Sequence, residues 1–140
     1  MIEFCAEDVR LPEVCNQQTK AWIERVVSSF DKKVGILTYV FCSDAYILEV
    51  NRNYLQHNYY TDIITFDYCK NQTIAGDLVI SVDTVRSNSQ LFNRPFEEEL
   101  HRVIIHGILH LLGFKDATEE EKLEMRRQED RALSILSTFH

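Results

Sequence analysis

One stretch decides the fold of this 140-residue chain: HGILHLLGFKD, residues 106–116. His106 and His110 are four residues apart, so on a helix their side chains project from the same face, one turn above the other. Gly113 favours the left-handed backbone that ends a helix and turns the chain back. Asp116 can then return to the two imidazoles. Three such donors leave one coordination position for water, which is the arrangement of a catalytic divalent metal.

The pattern is more specific than a histidine pair alone. A bare His-x-x-x-His arises often by chance, and most such pairs are ordinary surface or core histidines. The glycine and the aspartate at fixed offsets favour a metal site with His106, His110 and Asp116 as ligands. The competing interpretation is a buried helix that carries two hydrogen-bonded histidines, with Asp116 capping the next segment of chain.

The residue after the first histidine separates this site from a zinc peptidase. A peptidase has a glutamate there, which acts as the general base, whereas this chain has Gly107. Glycine cannot take a proton, so the ion itself must activate water, and we assign no catalytic side chain beyond that metal-bound water. A glycine inside a helix costs about 1 kcal/mol relative to alanine. Two explanations for a glycine at this position carry equal weight. One is the close approach of the metal shell, of the sheet or of substrate backbone in a functional site, and the other is simply close packing of the helix on the sheet.

Composition bounds the class of protein. A chain of 140 residues with 45% hydrophobic content predicts one globular domain spanning residues 1–140. Its formal charge of -7 weighs against a nucleic-acid partner without excluding one. The four cysteines form no Cys-x-x-Cys pair and are expected to be reduced, mostly buried thiols. With no signal peptide and no membrane span in the sequence, we expect a cytoplasmic protein.

Hydrophobic periodicity predicts an α+β fold with a small mixed sheet of about four strands. The predicted strands cover 1–7, Val34–Cys42, Asp62–Tyr68 and Ile74–Val82, with a hairpin at Asn71-Gln72-Thr73. The predicted helices run from Pro12 to about Phe30, from Ser43-Asp44 to about Tyr54, over Val82–Phe92, from Pro95 through the two histidines, and from Thr118 to about Leu136. The helix that begins after Pro95 is apolar on nearly all sides, so we expect it at the centre of the fold.

Three blocks of the sequence resemble the YbeY family of metal-dependent endoribonucleases. The family signature His-Gly-x-Leu-His-Leu-x-Gly-Tyr-Asp-His is matched at His106, Gly107, Leu109, His110, Leu111 and Gly113, with Phe114 in place of tyrosine. The family's Asn-x-x-Tyr-Arg and Thr-Asp-Val-Leu-Ser-Phe block resembles Asn51, Tyr54 and the run TDIITF at 61–66, and GDLVIS at 76–81 resembles its Gly-Asp strand. The three blocks cover most of residues 51–116.

The resemblance implies a fold, a function and partners. The fold would be zincin-like, with the mixed sheet packed on a central metal-bearing helix and further helices around it. The activity would be single-strand-specific, metal-dependent RNA cleavage in 16S rRNA 3′-end maturation and in ribosome quality control. Metal-activated water would attack the phosphodiester, with one divalent ion per chain, usually zinc. The partners would be ribosomal RNA and the small ribosomal subunit, with neither DNA nor a membrane expected.

Two residues of the signature differ in this chain. The family's third histidine falls on Asp116 and the preceding aspartate falls on Lys115. A carboxylate is an acceptable zinc ligand, so Asp116 is kept as the third ligand. It also shifts the metal preference towards harder ions such as Mn²⁺. Lys115 adds a cation that could meet a substrate phosphate, although an exposed lysine is more often simply solvated.

A third difference concerns substrate binding. The arginine that follows the family's tyrosine, taken to act on substrate phosphate, is Leu55 here. Arg52 and His57 are nearby and are candidates to supply the missing charge. Asp62 is a candidate to orient a ligand histidine from behind.

Two other functions remain open at the level of sequence. One is a metallohydrolase that acts on a peptide or a small phosphoester, with Gly107 arguing against the peptide. The other is a non-catalytic, ribosome-associated module whose metal is structural, which Leu55 and the acidic balance make plausible.

Overall fold

The computed structural model describes residues 1–55 and 61–139. Its elements in chain order are β1 (Ile2–Ala6), α1 (Gln17–Ser28), β2 (Lys33–Cys42), α2 (Asp44–Tyr54), β3 (Ile63–Asp67), β4 (Thr73–Ser81), α3 (Val82–Leu91), α4 (Phe96–Leu111) and α5 (Glu119–Leu136). The α+β class is confirmed, and with the exception of α1 the predicted elements agree with these bounds to within about two residues. None of the described helices is long and apolar enough to cross a bilayer.

The predicted start of the first helix was wrong. Pro12 opens a turn, in which the N–H of Cys15 donates to the Pro12 carbonyl at 3.1 Å. The helix begins after Asn16, whose side chain accepts a hydrogen bond from the N–H of Thr19 at 3.0 Å. A proline fits the first turn of a helix but caps nothing, whereas an asparagine side chain satisfies a free N–H group. The cap therefore decided the boundary.

The sheet has the strand order β1-β2-β4-β3. Strands β1, β2 and β4 are parallel, and β3 runs antiparallel to β4 as a hairpin partner. The turn of that hairpin is tight: Lys70 and Thr73 exchange two backbone hydrogen bonds of 3.0 Å each. Asn71 takes the left-handed conformation there with φ of 57°, which asparagine tolerates better than most residues. The predicted mixed sheet with a hairpin at residues 71–73 is confirmed.

Helix α4 lies in the centre of the fold, as its apolar surface predicted. Its buried residues Leu100, Val103, Ile104, Ile105 and Ile108 pack in one cluster with Trp22 and with residues of β2 and β4. Tyr39 donates its hydroxyl hydrogen to the Ile104 carbonyl at 2.9 Å, which satisfies a polar group inside this core. A smaller cluster of Cys42, Ile47, Ile64 and Val79 lies on the other face of the sheet, where α2 covers it.

Glycine lets α4 approach the sheet closely. A Cβ at Gly107 would lie 2.5 Å from Leu78 Cδ2 and 2.8 Å from Ile63 Cδ1. Both contacts belong to the sheet, so of the two explanations for a helical glycine the structure favours helix–sheet packing. The close approach places the strand β3 directly beside the part of α4 that carries the histidines.

The four cysteines are all free thiols. Only Cys42 is buried; Cys5 is exposed, and Cys15 and Cys69 are partly exposed. The expectation of mostly buried thiols was therefore wrong: Cys15 and Cys69 pack against the core without being fully covered, and Cys5 is exposed.

Candidate metal centre

Two histidines on the last two turns of α4 form the base of the site. His106 Nε2 and His110 Nε2 are 3.0 Å apart, and the two rings meet edge to face with centroids separated by 4.6 Å. Both side chains are partly exposed, at 21% and 30%. The pair therefore faces a solvent-accessible cavity, although the residues of α4 around it, namely 103–105, 107–109 and 111, are buried.

The end of α4 returns the third donor to this pair. Gly113 has a φ of 106°, a backbone conformation that residues other than glycine rarely adopt. The N–H of Phe114 donates to the Leu109 carbonyl, and that of Gly113 donates to the His110 carbonyl, both at 3.0 Å. This is the Schellman arrangement of a helix C-terminus. It reverses the chain and leaves Asp116 Oδ2 at 3.3 Å from each histidine Nε2.

The three donors fit a tetrahedral divalent ion. Their mutual distances of 3.0, 3.3 and 3.3 Å form a nearly regular triangle. Bonds of about 2.0–2.1 Å to a tetrahedral zinc ion separate neighbouring ligands by about 3.3 Å. Two imidazole nitrogens and one carboxylate oxygen are also a donor set that catalytic zinc sites use. The residues present therefore fit a metal ion, and one face of the triangle formed by the three donor atoms is left uncovered.

A buried carboxylate from α5 supports the site from behind. Glu129 Oε2 lies 2.6 Å from His106 Nδ1, and Glu129 Oε1 accepts a hydrogen bond from Arg102 Nη1 at 2.9 Å. Arg102 Nη2 in turn donates to Asp130 at 2.9 Å. With its proton held on Nδ1, the His106 ring presents the lone pair of Nε2 to the cavity.

These contacts change the pKa values of both partners. Burial by itself would raise the pKa of Glu129, but the hydrogen bonds from His106 and Arg102 outweigh it and the pKa is lowered. For His106, burial alone would lower the pKa, but the hydrogen bond and charge of Glu129 outweigh it and the pKa is raised. A cation at Nε2 competes with the proton there, so metal binding to this site depends on pH.

Sequence reasoning missed Glu129. The chain has 22 acidic residues, and α5 carries several of them on its exposed face. The signal in the sequence was the spacing of Met125, Glu129 and Ala132, which places them on one face of a helix. In the structure these three are the buried residues of α5. A charged residue inside an apolar stripe is rarely left without a partner.

The open side of the triangle faces a cavity of about 370 Å³ between α4 and β3. Besides the three donors, its lining consists of Thr61, Asp62, Ile63, Thr65, Asp67 and Leu111. Asp62 thus lies in the wall of the metal cavity, and burial raises the pKa of its carboxyl group although the charge of His106 opposes this. A role for Asp62 in orienting a ligand histidine remains a prediction, since it is Glu129 that lies within hydrogen-bond distance of His106 Nδ1.

The candidate substrate residues lie in different places. Lys115 is exposed and adjoins Asp116. Arg52 lies in α2, pairs with Glu49 at 2.9 Å and is not among the described residues that line the metal cavity. His57 falls in residues 56–60, outside the described residues. Their roles in substrate binding remain predictions.

Together, the fold and the site define a class: a small α+β protein in which one central helix and the turn after it present a His₂–carboxylate centre to an open cavity. Comparison with known proteins identifies the family within that class. Residues 3–137 match the family described as Endoribonuclease YbeY. The chain belongs to this family, and the predicted zincin-like α+β fold is confirmed.

Relatives of similar length support the assignment. The Endoribonuclease YbeY of Phocaeicola vulgatus is 53% identical over 98% of this chain and 99% of its own length. That of Bacteroides fragilis is 51% identical over 96% of both chains. A solution structure of a Thermotoga maritima protein superposes with a TM-score of 0.72 at 26% identity, covering 97% of this chain and 89% of that one.

Proposed function

We propose that this chain is a metal-dependent endoribonuclease that cuts single-stranded RNA. The supporting observation is the triangle of His106, His110 and Asp116, open towards a cavity, in a chain that belongs to a family of endoribonucleases. In the cell, the substrate we propose is the 3′ end of 16S rRNA on the small ribosomal subunit, in the cytoplasm, with a second role in ribosome quality control. These finer assignments follow from the family resemblance.

Each described residue of the site has a separate task in this proposal. The three donors hold one divalent ion, for which we propose zinc, with Mn²⁺ as the alternative that a carboxylate ligand favours. Glu129 fixes the ring of His106 so that Nε2 points at the ion. When bound, such an ion supplies a Lewis acid for a phosphoryl oxygen and a water acidic enough to attack at neutral pH.

The absence of a carboxylate next to His106 on the helix favours a phosphodiester over a peptide. Residue 107 is a glycine packed against Leu78 and Ile63, so the helix position that carries the general base of a peptidase has no side chain here. The lining carboxylates Asp62 and Asp67 belong to the opposite wall of the cavity. We propose no proton-transfer role for them.

The test is cleavage of a labelled oligonucleotide that corresponds to the 3′ end of 16S rRNA. We expect the zinc-loaded or manganese-loaded protein to cut the single-stranded RNA, and to leave the same sequence intact as a duplex or as DNA. EDTA and His110→Ala should each abolish cutting. His101→Ala is the matched control, because His101 lies on the same helix and lines a different cavity.

Three results would contradict the proposal. Cleavage of casein or of a nitrophenyl phosphodiester without cleavage of RNA would assign another substrate. Cutting that persists in EDTA would remove the metal from the reaction. Normal 16S rRNA 3′ ends in cells whose protein carries His106→Ala, together with retained ribosome binding, would favour a non-catalytic module.

A further inference from the structure

Four of the six lysines in the sequence belong to segments that meet at one end of the sheet. They are Lys32, Lys33, Lys70 and Lys115, and we call them the basic patch. Lys33 and Lys70 are held by the backbone: the N–H of Lys33 donates to the Gln72 carbonyl at 2.9 Å, and Lys70 closes the tight hairpin turn. An open cavity of about 510 Å³ lies between them, lined by Lys33, Lys70 and the turn residues.

The other two lysines join this end through aromatic and electrostatic contacts. The ring of Phe30, two residues before Lys32, packs edge to face on Phe114 with centroids 5.5 Å apart. Lys115 follows Phe114 directly, so the turn after α4 brings its backbone to the same region. Lys32 is close enough to Cys69, the neighbour of Lys70, for its charge to oppose the rise in the thiol's pKa.

The patch lysines form no ion pair with a carboxylate among the described residues. All of the ion pairs in residues 1–55 and 61–139 that involve lysine or arginine use other residues, namely Arg52, Arg94, Arg102, Lys122 and Arg127. The acidic residues nearest to the patch in sequence are Asp31, Asp67 and Asp116, and the charge of Lys115 also acts on Glu121, where it helps to lower the pKa of the carboxyl group. In a chain of formal charge -7, such a group of cations is a local exception.

The basic patch begins where the metal cavity ends. Leu111 and Asp67 line that cavity. The carbonyl oxygen of Leu111 lies 3.7 Å from Cys69 Sγ, and Cys69 immediately precedes Lys70. An extended polymer bound at the metal centre that continues past the end of β3 therefore reaches the basic patch.

We propose that the basic patch binds the sugar–phosphate backbone of the RNA strand whose scissile phosphate lies at the metal centre. This inference rests on the proposed function and adds to it the direction in which the substrate runs. Lysines act on phosphates as point charges and read no sequence, so the patch contributes affinity rather than specificity. It also gives a protein of negative net charge the local basic surface that RNA binding needs.

The first test compares two triple variants with the same change in net charge. Lys32→Gln/Lys33→Gln/Lys70→Gln removes three patch cations, and Arg10→Gln/Lys20→Gln/Lys122→Gln removes three cations elsewhere. Lys115 is left in place because it adjoins Asp116. Affinity is measured on the metal-loaded proteins by fluorescence anisotropy with a 2′-O-methylated single-stranded oligonucleotide, at several salt concentrations and with a gel to show that the probe stays intact.

We expect the patch variant to bind at least about 10-fold more weakly at 0.1 M salt, with the control variant within about twofold of the parent. Three lost phosphate contacts should also lower the salt slope of the binding constant by about 2. Equal affinity and equal slope in the two variants would overturn the inference. If the parent cuts RNA in that case, the proposed function still holds; if the parent neither binds nor cuts RNA, both fail.

A second measurement uses the unaltered chain and so does not depend on how a variant folds. Acetylation of each lysine by a limiting amount of reagent is followed by mass spectrometry, with and without the oligonucleotide. RNA should slow acetylation at the basic patch severalfold and leave Lys20 and Lys122 unchanged. Uniform protection of all lysines, or protection by polyglutamate in place of RNA, would overturn the inference; the latter would indicate an acidic protein partner.

Discussion

Glu129 Oε2 and His106 Nδ1 lie 2.6 Å apart although 23 residues separate them in the chain. The contact joins α5 to α4 inside the protein, and Arg102 holds the far oxygen of the same carboxylate. A metal-binding histidine whose second nitrogen donates to a carboxylate is fixed in both tautomer and orientation. The geometry of the candidate centre thus depends on a residue outside the signature stretch.

We predict that Glu129→Gln lowers metal affinity by about 10–100-fold, because the neutral amide holds the ring less firmly and makes His106 a weaker base. The measurement is a competition titration with a chromogenic chelator. Glu124→Gln is the matched control, since Glu124 is a half-exposed residue of the same helix that pairs with Arg127 and lies outside the site. Metal affinity equal to that of the control would contradict the role assigned to Glu129.

Asp116 sets the metal preference in our interpretation. Asp116→His creates the three-histidine set of the family signature, so it should raise the ratio of zinc to manganese affinity, because imidazole suits zinc and carboxylate suits manganese. Asp116→Ala should weaken both ions. Affinities for the two ions are measured by calorimetry, and an unchanged ratio in Asp116→His would show that residue 116 is not a ligand.

Two glycines should differ in how well they tolerate a methyl group. A Cβ at Gly76 would lie 2.3 Å from the backbone oxygen of Phe66, which cannot move without separating the two strands. At Gly107 the close atoms are the ends of Leu78 and Ile63 side chains, which can rotate. We expect Gly76→Ala to lower the free energy of unfolding by at least about 2 kcal/mol.

For Gly107→Ala we expect a smaller loss, since a gain of about 1 kcal/mol in helix propensity offsets the crowding. Urea unfolding of both variants, with and without metal, gives the comparison. If Gly107→Ala were the more destabilising of the two, the side chains of Leu78 and Ile63 would be unable to rotate away and the expected order would be wrong. If Gly107→Ala raised stability by the full gain in helix propensity, close packing on the sheet would not be the reason for this glycine.

The pH dependence of stability should contain a contribution from His101. This residue packs edge to face on Trp22 at 5.6 Å, and burial lowers its pKa although the charge of Glu97 opposes this. The unfolded chain therefore binds a proton at His101 at a higher pH than the folded chain does. Stability should fall as the pH drops below about 6.5, the ordinary value for histidine, towards the lowered pKa.

His101→Gln replaces the imidazole with an amide that does not titrate. The difference in free energy of unfolding between the parent and His101→Gln should decrease from pH 7 to pH 5, in EDTA so that the metal centre does not contribute. A difference that is constant over this range would show that His101 contributes nothing to the pH dependence. A difference that grows as the pH falls would have the opposite sign to that expected from a histidine whose pKa is lowered by burial.

The elements that the sequence predicted well are those whose signals are local. Glu121 with Thr118 forms the expected capping box at the start of α5, and Gly113 ends α4 as its position in the sequence predicted. The start of α1 was wrong because two local signals, Pro12 and Asn16, competed and only the side chain of Asn16 satisfies a backbone N–H. Local rules could not rank them before the turn at 12–15 was known.

The sequence by itself determined the class of the fold, the helix that carries His106 and His110, and the turn that brings Asp116 back to them. All of this follows from spacing along a single segment of chain, because helix periodicity and glycine conformation are properties of neighbouring residues. Only the tertiary structure decided that Glu129 supports His106, that Gly107 packs on the sheet, and that Lys33 and Lys70 line one cavity. These contacts join distant segments, and strand order and helix packing determine which of the many charged residues meet.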